Sequence, residues 1–196
     1  MLFFISLFAC DDLRKAATIA VPSIEDAKPS WARPVDCDDN RVPVPSTKKK
    51  AFVDRIDCDV NQTEPYTIEG TTKGGNKLMG DGFYQKAACT PARTYFFRDS
   101  PEAMYQLRIA PNTLAEIRLD SNCADLDPFA YRWERTSPPT ESHASVSDSC
   151  EMDTDVGDGK IIVTTTDNPQ TYLIGVDGKN GEEGNFRLTI VCRSYR

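Results

Sequence analysis

Residues 172–191 alternate apolar and polar positions along two arms, and this pattern constrains the fold more than any other feature of the chain. Tyr172, Ile174 and Val176 share one side of the first arm. Phe186, Leu188 and Ile190 share one side of the second, with Arg187 and Thr189 opposite. A period of two residues is the signature of a half-buried strand. Between the arms, Asp177-Gly178 and the stretch from Gly181 to Asn185 supply residues that tolerate positive φ and reverse a chain. The simplest expectation is a β-hairpin that closes a sandwich.

The same signal recurs upstream. Tyr105, Leu107 and Ile109 alternate with Gln106 and Arg108, and after Pro111-Asn112-Thr113 the residues Ala115, Ile117 and Leu119 alternate with Glu116, Arg118 and Asp120. This predicts a second hairpin. Tyr66-Thr67-Ile68, Arg93 to Phe97, the run Phe129, Tyr131, Trp133, and Ile161 to Thr164 read as further strands. No stretch sustains a 3.6-residue period, so about eight strands and little helix are expected. The fold class is all-β, an antiparallel β-sandwich of two packed sheets.

Seven cysteines and a single histidine, His143, bear on the compartment. No Cys-x-x-Cys pair occurs, so a tetrahedral zinc site would need scattered thiolates. Disulfides account better for Cys37, Cys58, Cys89, Cys123, Cys150 and Cys192, and they imply an oxidising environment outside the cytoplasm. The seventh, Cys10, stands apart at the end of the apolar segment Met1 to Ala9, just before Asp11-Asp12. Such a segment reads as the end of a secretory signal. Leu7-Phe8-Ala9-Cys10 resembles a bacterial lipobox, which implies lipidation of Cys10 and attachment to a membrane. Phe8 is bulky for that pattern and the segment lacks a basic start, as a beginning upstream of Met1 would explain; a cleaved signal with Cys10 incidental is the other reading. Each buried methylene of an acyl chain contributes about 0.8 kcal/mol, so several chains anchor stably. No other apolar run is long enough to span a bilayer.

The formal charge of −7 argues against nucleic acid or anionic headgroups as partners. From residue 11 to about residue 57, five prolines, the acids Asp36, Asp38 and Asp39, and Lys48-Lys49-Lys50 leave little to build a core. This part reads as a disordered extension or stalk, followed by a folded domain over 58–196. Cys37 is expected to pair with Cys58, stapling a loop with the lysines in a solvated turn at its tip.

Gly70-Thr71-Thr72, Cys89, Ser100 to Tyr105, Leu119-Asp120, Cys123, Cys150, Asp153, Asp155 and the stretch from Tyr172 to Leu188 together resemble the bacterial pre-peptidase C-terminal domain. The resemblance covers roughly residues 58 to 192 and is most specific in its last stretch. It departs at Glu102-Ala103-Met104 and in the insert around Arg135 to Ser149. It implies a jelly-roll-like, non-catalytic module of the kind appended to secreted peptidases or carried by envelope lipoproteins. It also suggests a Cys123–Cys150 disulfide, which would leave Cys89 to join Cys192.

Candidate chemistry is sparse. A serine hydrolase would need His143 as base, yet His143 lies in a polar loop and no Gly-x-Ser-x-Gly elbow occurs. Gly70 to Lys77 fails as a phosphate loop, because Asn76 displaces the lysine and Leu78 stands where a hydroxyl is required. Asp148, Glu151, Asp153, Asp155 and Asp158 could offer oxygen ligands to calcium. Counted from Asp153, however, Gly157 and Thr164 fall where an EF-hand needs ligands, so a solvated acidic turn or a calcium site of another kind remains, with no cofactor expected otherwise. Phe83, Tyr84, Tyr95, Phe96 and Phe97 are either core or an aromatic binding platform, and one of three consecutive rings in a strand must face outward. Three functions follow in order: a non-catalytic lipoprotein binding an envelope protein or glycan, an accessory domain without a ligand, and an enzyme of unfamiliar kind.

Overall fold

The computed structural model describes residues 33–39, 45–61, 63–87, 100–146, 150–152 and 159–194; for residues 145–146 and 150–152 it describes the backbone alone. The chain divides into two units, Met1–Arg33 and Pro34–Arg196, and the architecture below is that of the second.

Nine strands are described: β1 (Phe52–Cys58), β2 (Tyr66–Thr71), β3 (Ala103–Ile109), β4 (Thr113–Asp120), β5 (Leu126–Arg132), β6 (Cys150–Met152), β7 (Gly159–Thr164), β8 (Gln170–Gly178) and β9 (Asn185–Ser194). They form a five-stranded sheet in the order β1-β3-β8-β5-β6 and a four-stranded sheet in the order β2-β9-β4-β7. The pairings are antiparallel except that of β1 with β3, which is parallel. The expected all-β sandwich is present.

Its connections differ from the expected ones. The arms at 172–191 are β8 and β9, which belong to different sheets, and so do β3 and β4. Neither pair is a hairpin. Each is an arch whose arms lie in opposite sheets; across the core between those sheets Tyr105 of β3 meets Phe186 of β9 edge to face at 6.4 Å. Period-two patterning cannot separate the two cases, because a hairpin and an arch both give each strand one inward face. Asn180 (φ 56°) and Gly181 (φ 83°) carry the reversal between β8 and β9, beyond Asp177-Gly178, which are still strand.

Alternate residues of both sheets fill the space between them: Tyr105, Leu107, Ile109, Ile174 and Val176 from one, Ala115, Ile117, Leu119, Phe186, Leu188 and Ile190 from the other. Full burial of each large aliphatic side chain stabilises by roughly 1.5–3 kcal/mol. A second apolar cluster lies on the outer face of the five-stranded sheet. There Met104, Leu173, Phe129 and Tyr131 pack under Met79, Phe83, Tyr84 and Ala87, which lie on and beside the short helix α1 (Asp81–Lys86). Gly175 makes room for this layer: a Cβ there would lie 1.9 Å from the Phe129 ring.

The folded unit takes in part of the stretch expected as linker. β1 begins at Phe52, Val35 is buried, and buried Ser46 accepts a hydrogen bond from Met104 N–H at 2.8 Å. Asn185 Nδ2 donates to the carbonyls of Asp36, Cys37 and Asp39 (2.9, 3.3 and 3.1 Å), and Lys73 Nζ donates to the carbonyl of Cys37 at 2.7 Å. Backbone capture by polar side chains leaves no apolar period to read, which is why composition misassigned these residues.

The disulfides also differ. Cys37 bonds Cys123 and Cys58 bonds Cys192, closing separations of 86 and 134 residues. These replace the expected pairings Cys37–Cys58, Cys123–Cys150 and Cys89–Cys192. Cys58 ends β1 at the edge of one sheet and Cys192 lies near the end of β9 in the other, so this bond crosses the sandwich, and proximity in sequence gave no hint of it. Cys89 and Cys10 lie outside the described residues.

Candidate functional site

Three carboxylates lie in one row on the outer face of the five-stranded sheet. Asp127 of β5 pairs in register with Asp177 of β8, and Glu102, one residue before Ala103, which pairs with Val176, stands on the other side of Asp177. All three are fully buried. Helix α1 covers them with Tyr84, whose hydroxyl lies 3.0 Å from Glu102 Oε1 and 2.5 Å from Asp177 Oδ2. Glu102 is held further by amides: Leu78 N–H donates to Oε2 at 2.6 Å and Met79 N–H to Oε1 at 3.2 Å. Asp177 Oδ1 is buried without a hydrogen-bond partner.

Burial disfavours the charged form of each acid. It pushes Glu102 up to about 7, even though the Leu78 and Met79 amides and the Tyr84 hydroxyl favour its carboxylate. Burial also raises the carboxyl of Asp177 well above its ordinary range, with the charges of Glu102 and Asp127 adding to it against the hydrogen bonds from Tyr84 and the Gly178 amide. The Tyr84 phenol is raised by burial first, then by Asp177 and Glu102. This arrangement can hold a proton and cannot readily reach a substrate.

The row was missed in the sequence because an acid opposite the apolar parity reads as solvent-facing, and Asp177-Gly178 read as a turn. One signal was present. Tyr172-Leu173-Ile174-Gly175-Val176 is nearly continuous in apolar character, which marks a central strand covered on both faces, so an acid at its end lies under cover too.

Of the sequence candidates, Phe83 and Tyr84 are 1 % and 0 % exposed, which corrects the reading of these two rings as a binding platform. They are the covering layer itself. Phe83 meets Tyr131 edge to face at 5.1 Å. Tyr95 and Phe97 lie outside the described residues, as do Asp153, Asp155 and Asp158; Glu151 is placed on β6. Among the described residues no group of three or more His, Cys, Asp or Glu side chains is placed to hold a metal ion.

His143 lies in a short 3-10 helix (Glu141–Val146), where its role is local. Its backbone N–H donates to the carbonyl of Thr140 at 2.8 Å, while Thr140 N–H donates back to Nδ1 at 3.0 Å. The first is the ordinary 3-10 bond, and the second lets the ring cap the amide at the start of the helix, the half of a capping box that its third residue supplies. The ring also meets Trp133 edge to face at 5.0 Å, with Arg135 over the Trp133 face. At the tip of the lysine turn, Thr47 Oγ1 accepts from Lys50 N–H and Asn76 Oδ1 from Lys48 N–H, with the three lysines exposed.

The surface carries a groove of about 450 Å³ beside the Cys58–Cys192 bond, lined by Cys58, Val60, Ala110, Pro111, Pro169 and Arg108 among others. Val60 and Ile162 are the exposed large apolar side chains among the described residues.

No protein-family model matches the sequence, and no curated protein matches it. Among solved structures, the chain is similar to PliG of Aeromonas hydrophila, a periplasmic lysozyme inhibitor of g-type lysozyme, with 8 % identity over 76 % of this chain and 100 % of that one and a TM-score of 0.42. It is also similar to the pre-peptidase C-terminal domain of collagenase from Bacillus anthracis, with 11 % identity over 76 % of this chain and 97 % of that one and a TM-score of 0.37. At these identities and scores neither likeness assigns the chain a family.

Proposed function

We propose that the protein is an extracytoplasmic, non-catalytic β-sandwich, attached to a membrane through lipid on Cys10, that serves as an accessory or binding module for an envelope protein or glycan. The observation that carries this reading is the pair of long-range disulfides, Cys37–Cys123 and Cys58–Cys192. Bonds of this span persist where the surroundings are oxidising and are rare where thiols are kept reduced. The capping role of His143 adds support, since it assigns the sole histidine to the local turn. The groove beside the Cys58–Cys192 bond is the surface concavity to probe first for a ligand.

The intact mass of the protein extracted without reduction from its native membranes tests the reading. A species beginning at Cys10, heavier by acyl groups and yielding Cys37–Cys123 and Cys58–Cys192 peptides, is expected. A disulfide-bonded chain without lipid would remove the anchor and keep the compartment. Free thiols on an unlipidated chain would overturn both.

A further inference from the structure

We propose that the row Glu102, Asp177 and Asp127 is a proton-binding site in which Asp177 is a neutral acid that donates to Tyr84 Oη while Tyr84 donates to ionised Glu102, so that this proton governs how firmly α1 is held on the sheet. The inference goes beyond the accessory function above and does not depend on it.

Counting hydrogens carries it. The Tyr84 hydroxyl has one proton and contacts two carboxyl oxygens, Glu102 Oε1 and Asp177 Oδ2. Both contacts are full hydrogen bonds when one of the acids supplies a second proton, whereas a single O–H shared between two charged carboxylates would leave them repelling one another. Glu102 already accepts two backbone amides, which favour its carboxylate. Asp177 has one such amide, that of Gly178, against the two on Glu102; its Oδ1 is buried without a hydrogen-bond partner, and its register neighbour is another acid, Asp127. The proton therefore belongs on Asp177. Two like-charged carboxyls at such a site do not both ionise readily.

The groups facing Asp177 come from each element packed on it: Glu102 from the residue before β3, Asp127 from β5 and Tyr84 from α1, with Tyr131 of β5 close to Tyr84. Of the nearby lysines, Lys77 pairs with Asp81 at 2.5 Å and Lys179 with Asp125 at 3.6 Å. On deprotonation the proton leaves to water, one Tyr84 contact becomes two oxygens without a hydrogen between them, and the α1 layer loosens.

The sign follows by linkage. Asp177 binds its proton more tightly in the folded state than in the unfolded state, so this stability is fully present below the unfolded value and is lost as pH rises through the folded one. For Asp177 the window opens at the ordinary aspartate value of 3.8 and extends well above it. One pKa unit is a tenfold change in equilibrium, so the folding constant falls about tenfold for each unit by which the Asp177 carboxyl is raised.

The experiment is denaturant unfolding of the full chain between pH 4 and pH 9 for wild type, Asp177→Asn and Glu102→Gln. An Asn amide can donate to Tyr84 as the protonated acid does, so Asp177→Asn should flatten the profile and be more stable than wild type at pH 8. A Gln amide would set a donor against the Leu78 or Met79 N–H, so Glu102→Gln should be weaker at every pH. Amide exchange adds a local reading: Leu78, Met79 and Ala87, corrected for intrinsic rates, should lose protection with rising pH while β9 amides keep theirs. A wild-type profile that is flat or rises from pH 4.5 to 8 would overturn the proposal, even if neither variant folds. So would Asp177→Asn as damaging as Glu102→Gln, or stability at pH 8 restored by calcium.

Discussion

The inner face of the five-stranded sheet presents Tyr105, Leu107, Ile109, Ile174 and Val176 to an opposing sheet, whereas its outer face presents Met104, Leu173 and Phe129, beside Glu102, Asp177 and Asp127, to a six-residue helix. Both faces are dry, yet different physics holds them. Side chains of ten or more strand positions interdigitate between the sheets, and nothing in that contact depends on protonation. On the outer face a helix too short to be stable alone is held by aromatic edges and by a hydrogen-bond relay through buried acids. One sheet thus has a side whose stability follows packing and a side whose stability follows pH.

The largest test strikes the inner side. Replacing Cys58 and Cys192 together by alanine removes a closure over 134 residues, and the chain-entropy relation puts the loss at about 4–5 kcal/mol. Chemical denaturation should show it equally at pH 5 and pH 8, and a loss confined to one pH would break the distinction between the faces.

Leu188→Ala comes next. Leu188 is fully buried in the inter-sheet core, and a leucine truncation of this kind costs about 3 kcal/mol. The denaturation midpoint should fall by the same amount at both pH values, displacing the wild-type pH profile without changing its shape.

The smallest effect lies at the rim of the outer layer. His143→Ala removes the acceptor for Thr140 N–H and the edge contact with Trp133, at a cost of about 1 kcal/mol, typical of a lost cap. Thermal unfolding should register it as a shift of a few degrees. A loss of any ligand-binding or catalytic activity far beyond that shift would restore His143 as a functional residue.

How far the sequence could be read follows the same division. Alternation over Tyr105 to Ile109 and Phe186 to Ile190 announced strands and their inward faces, because one core sets one parity. It could not say which strands share a sheet, since the arch between β8 and β9 and a hairpin impose the same pattern on each arm. Val35 and Ser46 were hidden in a proline-rich stretch because Asn122 and Asn185 hold the backbone around Val35, and Met104 N–H holds the Ser46 hydroxyl, by hydrogen bonds rather than by apolar periodicity. Asp177 and Glu102 were hidden by their type: an acid on the polar parity reads as wet until a helix elsewhere in the chain is seen to cover it. The cysteines signalled a compartment and kept their partners to themselves, since pairing depends on which strand ends meet across the sandwich.

The most direct test of this account is the titration of the Asp177 carboxyl, followed by its ¹³C chemical shift in the intact, disulfide-bonded protein. The account predicts that Asp177 keeps its proton well above the acidic range in which exposed carboxylates ionise. An Asp177 that ionises together with the exposed acids would show that the relay carries no resident proton, and the two faces of the sheet would then be held by packing alike.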